Sequence, residues 1–173
     1  MRPIQHFRHC PACAAAITPG PNPLVCPACG FCYFFNPTVS AAAFVSDADG
    51  RILLLRRAKE PAKGLFGIPG GFIDIGESAE VALHREVMEE VGIGVTGVKY
   101  LCSLPNDYHY RGVTYPVCDL VFTATAVHPE AVHSLDDVAG YEWRRLDEVT
   151  EEELAFPSLK LGLKLLRGER ERA

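Results

Sequence analysis

Nothing in this 173-residue chain approaches the ~18 consecutive apolar residues that a membrane-spanning helix requires, and its opening residues, MRPIQHFRHCPAC, lack the apolar segment of a secretory signal. A membrane or exported protein is therefore not expected, and the cytoplasm is the expected compartment. Positive charge is scarce too: 17 Lys and Arg stand against 22 Asp and Glu, for a net charge of −5. Nucleic-acid binding needs a concentrated basic surface, so nucleic acid is not an expected partner. Internal repeats and low-complexity tails are missing. With 48% hydrophobic residues, a chain of this length supports one full domain and a small appendage.

Cysteine is plentiful by comparison. Four of the 7 stand as Cys10-x2-Cys13 and Cys26-x2-Cys29, within CPAC and CPACG. Two short thiolate-bearing turns facing each other supply the S4 tetrahedron that Zn²⁺ favours at a closed structural site. A redox or disulfide pair is the alternative. Four sulfurs leave no open position for water, so this Zn²⁺ would be structural. Cys32, Cys102 and Cys118 fall outside the pattern and read as apolar packing residues or inert thiols.

Residues 1–36 form this appendage, with Pro19-Gly20-Pro21-Asn22-Pro23 as its connecting loop, and residues 37–173 form the body. Strands are expected over 39–46 and 51–56, joined by the hairpin signal Asp47-Ala48-Asp49-Gly50. A glycine-rich loop follows over 59–77. Further strands are expected over 95–104, 115–127 and 140–145, and helices over 147–154 and 158–170.

Between loop and strand lies the most informative segment, GFIDIGESAEVALHREVMEEVGI, the 23 residues from Gly71 to Ile93. Ser78 suits a helix N-cap and Gly92 its C-terminal cap, with Leu83, Val87 and Val91 as the buried stripe. At about 100° per residue, Glu86, Glu89 and Glu90 fall within about a third of the circumference. Like charges three or four apart cost about 0.2–0.5 kcal/mol each, so the triplet is strained unless a cation lies over it. Carboxylate oxygens suit a hard cation, Mg²⁺ or Mn²⁺. A solvated acidic face is the bland reading of three glutamates alone, but Glu77, Arg85 and the glycines tell against it. Seven specified residues at a usage of about 7% match by chance about once in 10⁸ start positions.

This spacing is the Nudix box, and the chain resembles the Nudix hydrolases. The resemblance implies an α/β/α sandwich with a mixed sheet and hydrolysis of a phosphoanhydride. It further implies that Glu86, Glu89 and Glu90, with the carbonyl of Gly71, hold the catalytic Mg²⁺ or Mn²⁺, while Glu77 and Arg85 brace the loop against the helix. The general base is either Glu86 or an acidic residue on a later loop, Asp136 or Asp137.

A zinc ribbon ahead of a Nudix body is similar in layout to the zinc-ribbon NADH pyrophosphatases. Those enzymes carry a Ser-Gln-Pro array with aromatics beyond the box. Here the stretch reads Ser103-Leu104-Pro105-Asn106-Asp107-Tyr108-His109-Tyr110, matching the serine and proline but not the glutamine or the Phe-Pro end. The substrate class expected is therefore a nucleoside diphosphate linked to another moiety, such as ADP-ribose, FAD or NADH. Tyr108 and Tyr110 are candidates to stack on a base, Arg56 and Arg57 to hold a phosphate, and Phe66 to wall the pocket. Alternatives are a nucleoside triphosphate pyrophosphatase and a non-catalytic nucleotide-sensing or RNA-binding module. A homodimer is allowed, though no residue argues for it.

Overall fold

The computed structural model describes residues 1–135 and 138–170, the side chains of 169 and 170 aside. The chain divides into two compact units. One comprises Met1–Thr38 and Asp107–Val117, the other Val39–Asn106 and Cys118–Ala173.

In the first unit the cysteine turns are built alike. Ala14 N–H donates to Cys10 O and Gly30 N–H to Cys26 O, both at 2.9 Å, while Cys10 N–H reaches Ala15 O and Cys26 N–H reaches Phe31 O, both at 2.8 Å. Closing each turn requires left-handed backbone just after its second cysteine, φ 60° at Ala14 and 73° at Gly30. Glycine adopts that freely and alanine does not. Strands β1 (Leu24–Val25) and β2 (Cys32–Tyr33) pair antiparallel. Phe7, Tyr33 and Phe35 pack edge to face or stacked, with centroids 4.8–5.9 Å apart.

The second unit is organised by two strands that are apolar on both faces. β3 (Thr38–Ser46) and β4 (Ile52–Arg57) are antiparallel and joined through Asp47–Gly50. Asp47 closes the turn, its carboxylate accepting from the amides of Asp49 and Arg51 and from Arg51 Nε. Side chains alternate across a strand. Ala41, Ala43, Val45, Leu53 and Leu55 therefore enter one core with Leu83, Val87 and Val91 of helix α1 (Ala79–Val91). Phe44, Ile52 and Leu54 enter the other with Leu159, Leu163 and Leu166 of helix α2 (Pro157–Arg170). A sheet with a helix layer on each face results. Among the described residues no helix is long and apolar enough to cross a membrane.

The glycine-rich loop is more ordered than expected. It holds β5 (Phe66–Gly67), paired with β4, and β6 (Gly70–Phe72), paired with β3. Such short strands carry no periodicity of their own; their partners define them. β7 (Val95–Tyr110) runs six residues past its expected end, β8 covers Val113–Ala126, and β9 (Val138–Arg144) pairs with β4. The order along the sheet is β5-β4-β3-β8-β7.

The helix expected over 147–154 is two 3-10 turns, Leu146–Glu148 and Glu151–Glu153. Arg167 Nη2 donates to Leu146 O at 2.8 Å and to Val149 O at 2.6 Å, taking carbonyls that a continuous helix would use. Thr150 N–H turns to the Glu153 carboxylate.

Buried beside α2, Asp119 of β8 accepts from Ser40 of β3 and from the fully buried Ser158 hydroxyl. Asp119→Ala leaves two hydroxyls without their acceptor and should destabilise the unit by about 2–4 kcal/mol, read by urea unfolding with unchanged m.

Candidate active site

Helix α1 begins where Ser78 accepts from Val81 N–H and ends at Gly92, left-handed at φ 69°, whose N–H donates to Met88 O. With Ala82, Leu83, Val87 and Val91 buried against the sheet, the helix turns Arg85, Glu86, Glu89 and Glu90 towards the β6 loop. Arg85 is the hub. Its Nε and Nη2 meet the two oxygens of Glu77 at 2.8 and 2.9 Å, and Nη2 also donates to Phe72 O at 3.1 Å. Nη1 donates to Glu86 Oε1 at 2.8 Å and to Glu89 Oε2 at 3.2 Å. Asp74 N–H adds a third donor to Glu77. The planar fork thus binds the loop before the helix and two carboxylates on it.

These contacts set the charges. The Arg85 hydrogen bonds and the Asp74 amide hold the Glu77 carboxyl down to about 2, and Glu77 in turn raises the Arg85 pKa, so both stay ionised. Burial pushes Glu86 up, against the pull of Arg85.

Glu90 is anchored elsewhere, its Oε2 accepting from Gly70 N–H at 2.9 Å. Arg85 thus holds Glu86 and Glu89, while Glu90 is held by the β6 turn, against which the Glu86 carboxylate also lies. Gly70 is required by space, and Gly71 leaves room for a carboxylate. A Cβ on Gly70 would overlap Ala41 O and Ala42, and one on Gly71 would overlap the Glu86 carboxylate. The backbone at Gly71 lies against Glu86 only because it is bare. A carboxylate set with an adjoining bare backbone fits a hard dication that keeps water among its ligands.

Arg56 and Arg57 are engaged within the second unit. Arg56 donates to Gly64 O at 2.9 Å and pairs with Glu142 at 3.0 Å, its guanidinium 4.2 Å from the Phe66 ring centroid. Arg57 Nε donates to Pro61 O at 2.7 Å. Phe66 itself is core. Tyr108 and Tyr110 lie in the first unit, centroids 6.3 Å apart, with Arg111 over Tyr110. Asp136 and Asp137 fall outside the described residues. Sequence reasoning passed over Phe72 and Asp74, whose parts are played by backbone groups and so leave no side-chain signature.

In the first unit the sulfurs of Cys10, Cys13, Cys26 and Cys29 all lie within 4.8 Å of one another. Cys10 Sγ is 3.7 Å from Cys29 Sγ, and Cys13 Sγ is 3.7 Å from Cys26 Sγ. A Zn–S distance of about 2.3 Å gives a tetrahedral edge of about 3.8 Å, so the four thiols fit zinc. The Cys29 and Ala28 amides help bring Cys26 down to about 7. Cys29, facing the Phe31 amide but sharing its proton with Cys13 and Cys26, is pushed up to about 12. The fall at Cys26 rests on fixed backbone donors and is the direction that favours a metal thiolate.

The sequence model of the NUDIX domain matches residues 36–164. The chain belongs to the Nudix family. It is 35% identical over 130 residues to the NAD(P)H pyrophosphatase NUDT13, mitochondrial, of Mus musculus, a match covering 73% of this chain and 34% of that one. It is 38% identical over 98 residues to the NAD-capped RNA hydrolase NudC of Chromobacterium violaceum, covering 56% and 36%. Among solved structures, the NUDIX domain of Shewanella oneidensis NrtR complexed with ADP ribose superposes with a TM-score of 0.64 at 26% identity, covering 79% of this chain and 90% of that one. The matches span about a third of the length of these two curated relatives.

Glu77 carries a sign-definite prediction for this Nudix loop. A carboxyl held at about 2 instead of the ordinary 4.5 contributes stability that is present above the higher value and lost as pH falls towards the lower. The stability lost by Glu77→Gln should therefore be largest near neutrality and shrink between about pH 5 and pH 2, as urea unfolding at each pH would show.

Proposed function

We propose that this chain hydrolyses the diphosphate linkage of a nucleoside diphosphate joined to another moiety, with ADP-ribose, FAD and NADH-like dinucleotides as the substrate class. The observation that carries this reading is the bare Gly71 backbone against Glu86, with Arg85 bracing Glu77, Glu86 and Glu89 around it. The printed names of two relatives, an NAD(P)H pyrophosphatase and an NAD-capped RNA hydrolase, and the ADP-ribose bound by a third, support the dinucleotide class. A nucleoside triphosphate pyrophosphatase is the alternative within the family.

Glu86, Glu89, Glu90 and the Gly71 carbonyl are the residues we assign to Mg²⁺ or Mn²⁺. Bound there, the dication would neutralise the two phosphates and lower the pKa of a coordinated water. Arg85 and Glu77 position these carboxylates and fix the Gly71 backbone without touching substrate. Glu86, lying against Gly71 and oriented by Arg85, is assigned to take the proton of the attacking water; Asp136 and Asp137 are the alternative bases. Arg56 and Arg57 are the candidates for substrate phosphate, each exchanging a carbonyl of the 58–65 loop for it.

Glu89→Gln or Glu90→Gln should lower kcat by about a hundredfold or more while folding is nearly unchanged, measured at saturating Mg²⁺ on a panel of dinucleotides and nucleoside triphosphates. Near-normal turnover by either variant would sink the assignment, and the preferred member of the panel decides the substrate class.

Residues 1–36 we assign as a zinc ribbon ahead of a Nudix domain over 37–173. Purified protein should carry about one zinc per chain by elemental analysis, as a closed S4 site requires. Replacing Cys10 and Cys13 by serine should lose that zinc and unfold the segment, while Mg²⁺-dependent hydrolysis survives in part, since no ribbon cysteine is assigned to the reaction.

A further inference from the structure

The last turn of the box helix is covered by a distant segment, Ala131–Leu135. His133 N–H donates to Val91 O at 3.3 Å and Leu135 N–H donates to Glu90 O at 2.9 Å, so loop amides satisfy two carbonyls that a helix end leaves open. Val132 anchors the segment in the α1 core with Val87 and Val91. The His133 imidazole then lies directly on Gly92. A Cβ at 92 would overlap ring carbon Cε1 and press on both ring nitrogens. His133 Nδ1 donates to Ala131 O at 2.9 Å, which holds the ring in this pose. Glu90 is consequently held at two points, by Gly70 N–H on its carboxylate and by Leu135 N–H on its own carbonyl.

We propose that His133 is a positioning residue for the metal-binding turn: its ring, seated on bare Gly92, sets the Ala131–Leu135 strap that fixes Glu90. Gly92 is thus needed for the space it leaves as well as for its left-handed backbone. The inference rests on reading Glu86, Glu89 and Glu90 as metal ligands, as argued above. The segment and the helix end are separated by some forty residues of chain, so nothing local couples them.

Asparagine separates the two requirements at Gly92, because it tolerates left-handed φ yet carries a Cβ. Mn²⁺ binding without nucleotide, followed by the loss of the free-ion paramagnetic resonance signal, reads the site independently of turnover. Gly92→Asn should weaken Mn²⁺ binding by about tenfold, the scale of losing an outer-shell support, and raise the Mg²⁺ needed for half-maximal activity in parallel. His133→Ala alone should weaken Mn²⁺ binding by a similar factor, and adding it to Gly92→Asn should cost little more, the non-additivity expected of two residues in contact.

A Gly92→Asn or His133→Ala protein within about twofold of wild type in Mn²⁺ affinity, or a double variant whose loss is the product of the two single losses, would overturn the proposal. If Gly92→Asn does not fold, the double variant decides: recovery of a cooperative thermal transition on removing the ring supports the contact, and persistent failure overturns it. Wild-type protein that takes up no Mn²⁺ would instead remove the metal-site reading, and this proposal with it.

Discussion

One guanidinium lies between three carboxylates and a carbonyl, and the arrangement of the box follows from it. Arg85 contacts Glu77 twice, Glu86 and Glu89 once each, and Phe72 O. Without that cation the glutamates of α1 would repel one another and the loop before the helix would have little to dock on. Glu77 answers by staying ionised well below the ordinary carboxylate range. The pair is mostly shielded, with side-chain exposures of 27% and 18%, so solvent screens it less than a surface ion pair. Geometry matters as much as charge here: a planar fork with donors on two edges joins a loop, a strand end and a helix face, which the point charge of a lysine does not.

The sheet beneath supplies the other half of the constraint. β3 faces α1 with Ala41, Ala43 and Val45 and faces the α2 layer with Phe44, and the register of β6 on β3 sets Gly71 opposite Ala41. Gly70 and Gly71 are pressed between β3 and the box helix, where a side chain would meet backbone on one flank and Glu86 on the other. The close approach of backbone to carboxylate is thus enforced by packing on both sides, and the loop is fixed although it contains little regular structure.

The first unit follows a separate logic. Its apolar packing is small, a few stacked rings with buried Leu24 and Val117, and it contains two cysteine turns with the same hydrogen bonds, one closed by glycine and the other by Ala14 in a conformation alanine resists. In a small segment with so little core, the four thiols proposed to hold zinc are where a metal would add most to its order. The chemistry assigned to the glutamates and the stability assigned to the thiolates therefore draw on different ions, a hard one that keeps water and a borderline one fully enclosed by sulfur.

The amino-acid sequence alone determined the features whose signals are local. The N-cap at Ser78, the cap at Gly92, the strands on either side of Asp47–Gly50 and the paired cysteine turns are each set by neighbours a few residues away, and each stands where its pattern puts it. The box spacing named the family before any coordinate did. Tertiary structure decided whatever depends on a distant partner. β5 and β6 are strands only because β4 and β3 accept them, and the stretch expected as a helix over 147–154 forms two 3-10 turns, with Arg167 bonded to the Leu146 and Val149 carbonyls. The three glutamates share a helix face by periodicity, but what orients each carboxylate is tertiary: Gly70 N–H meets Glu90 while Arg85 meets the other two. His133 on Gly92 is the extreme case: a glycine records that something comes close, but which side chain arrives is decided only when the chain has folded back on itself.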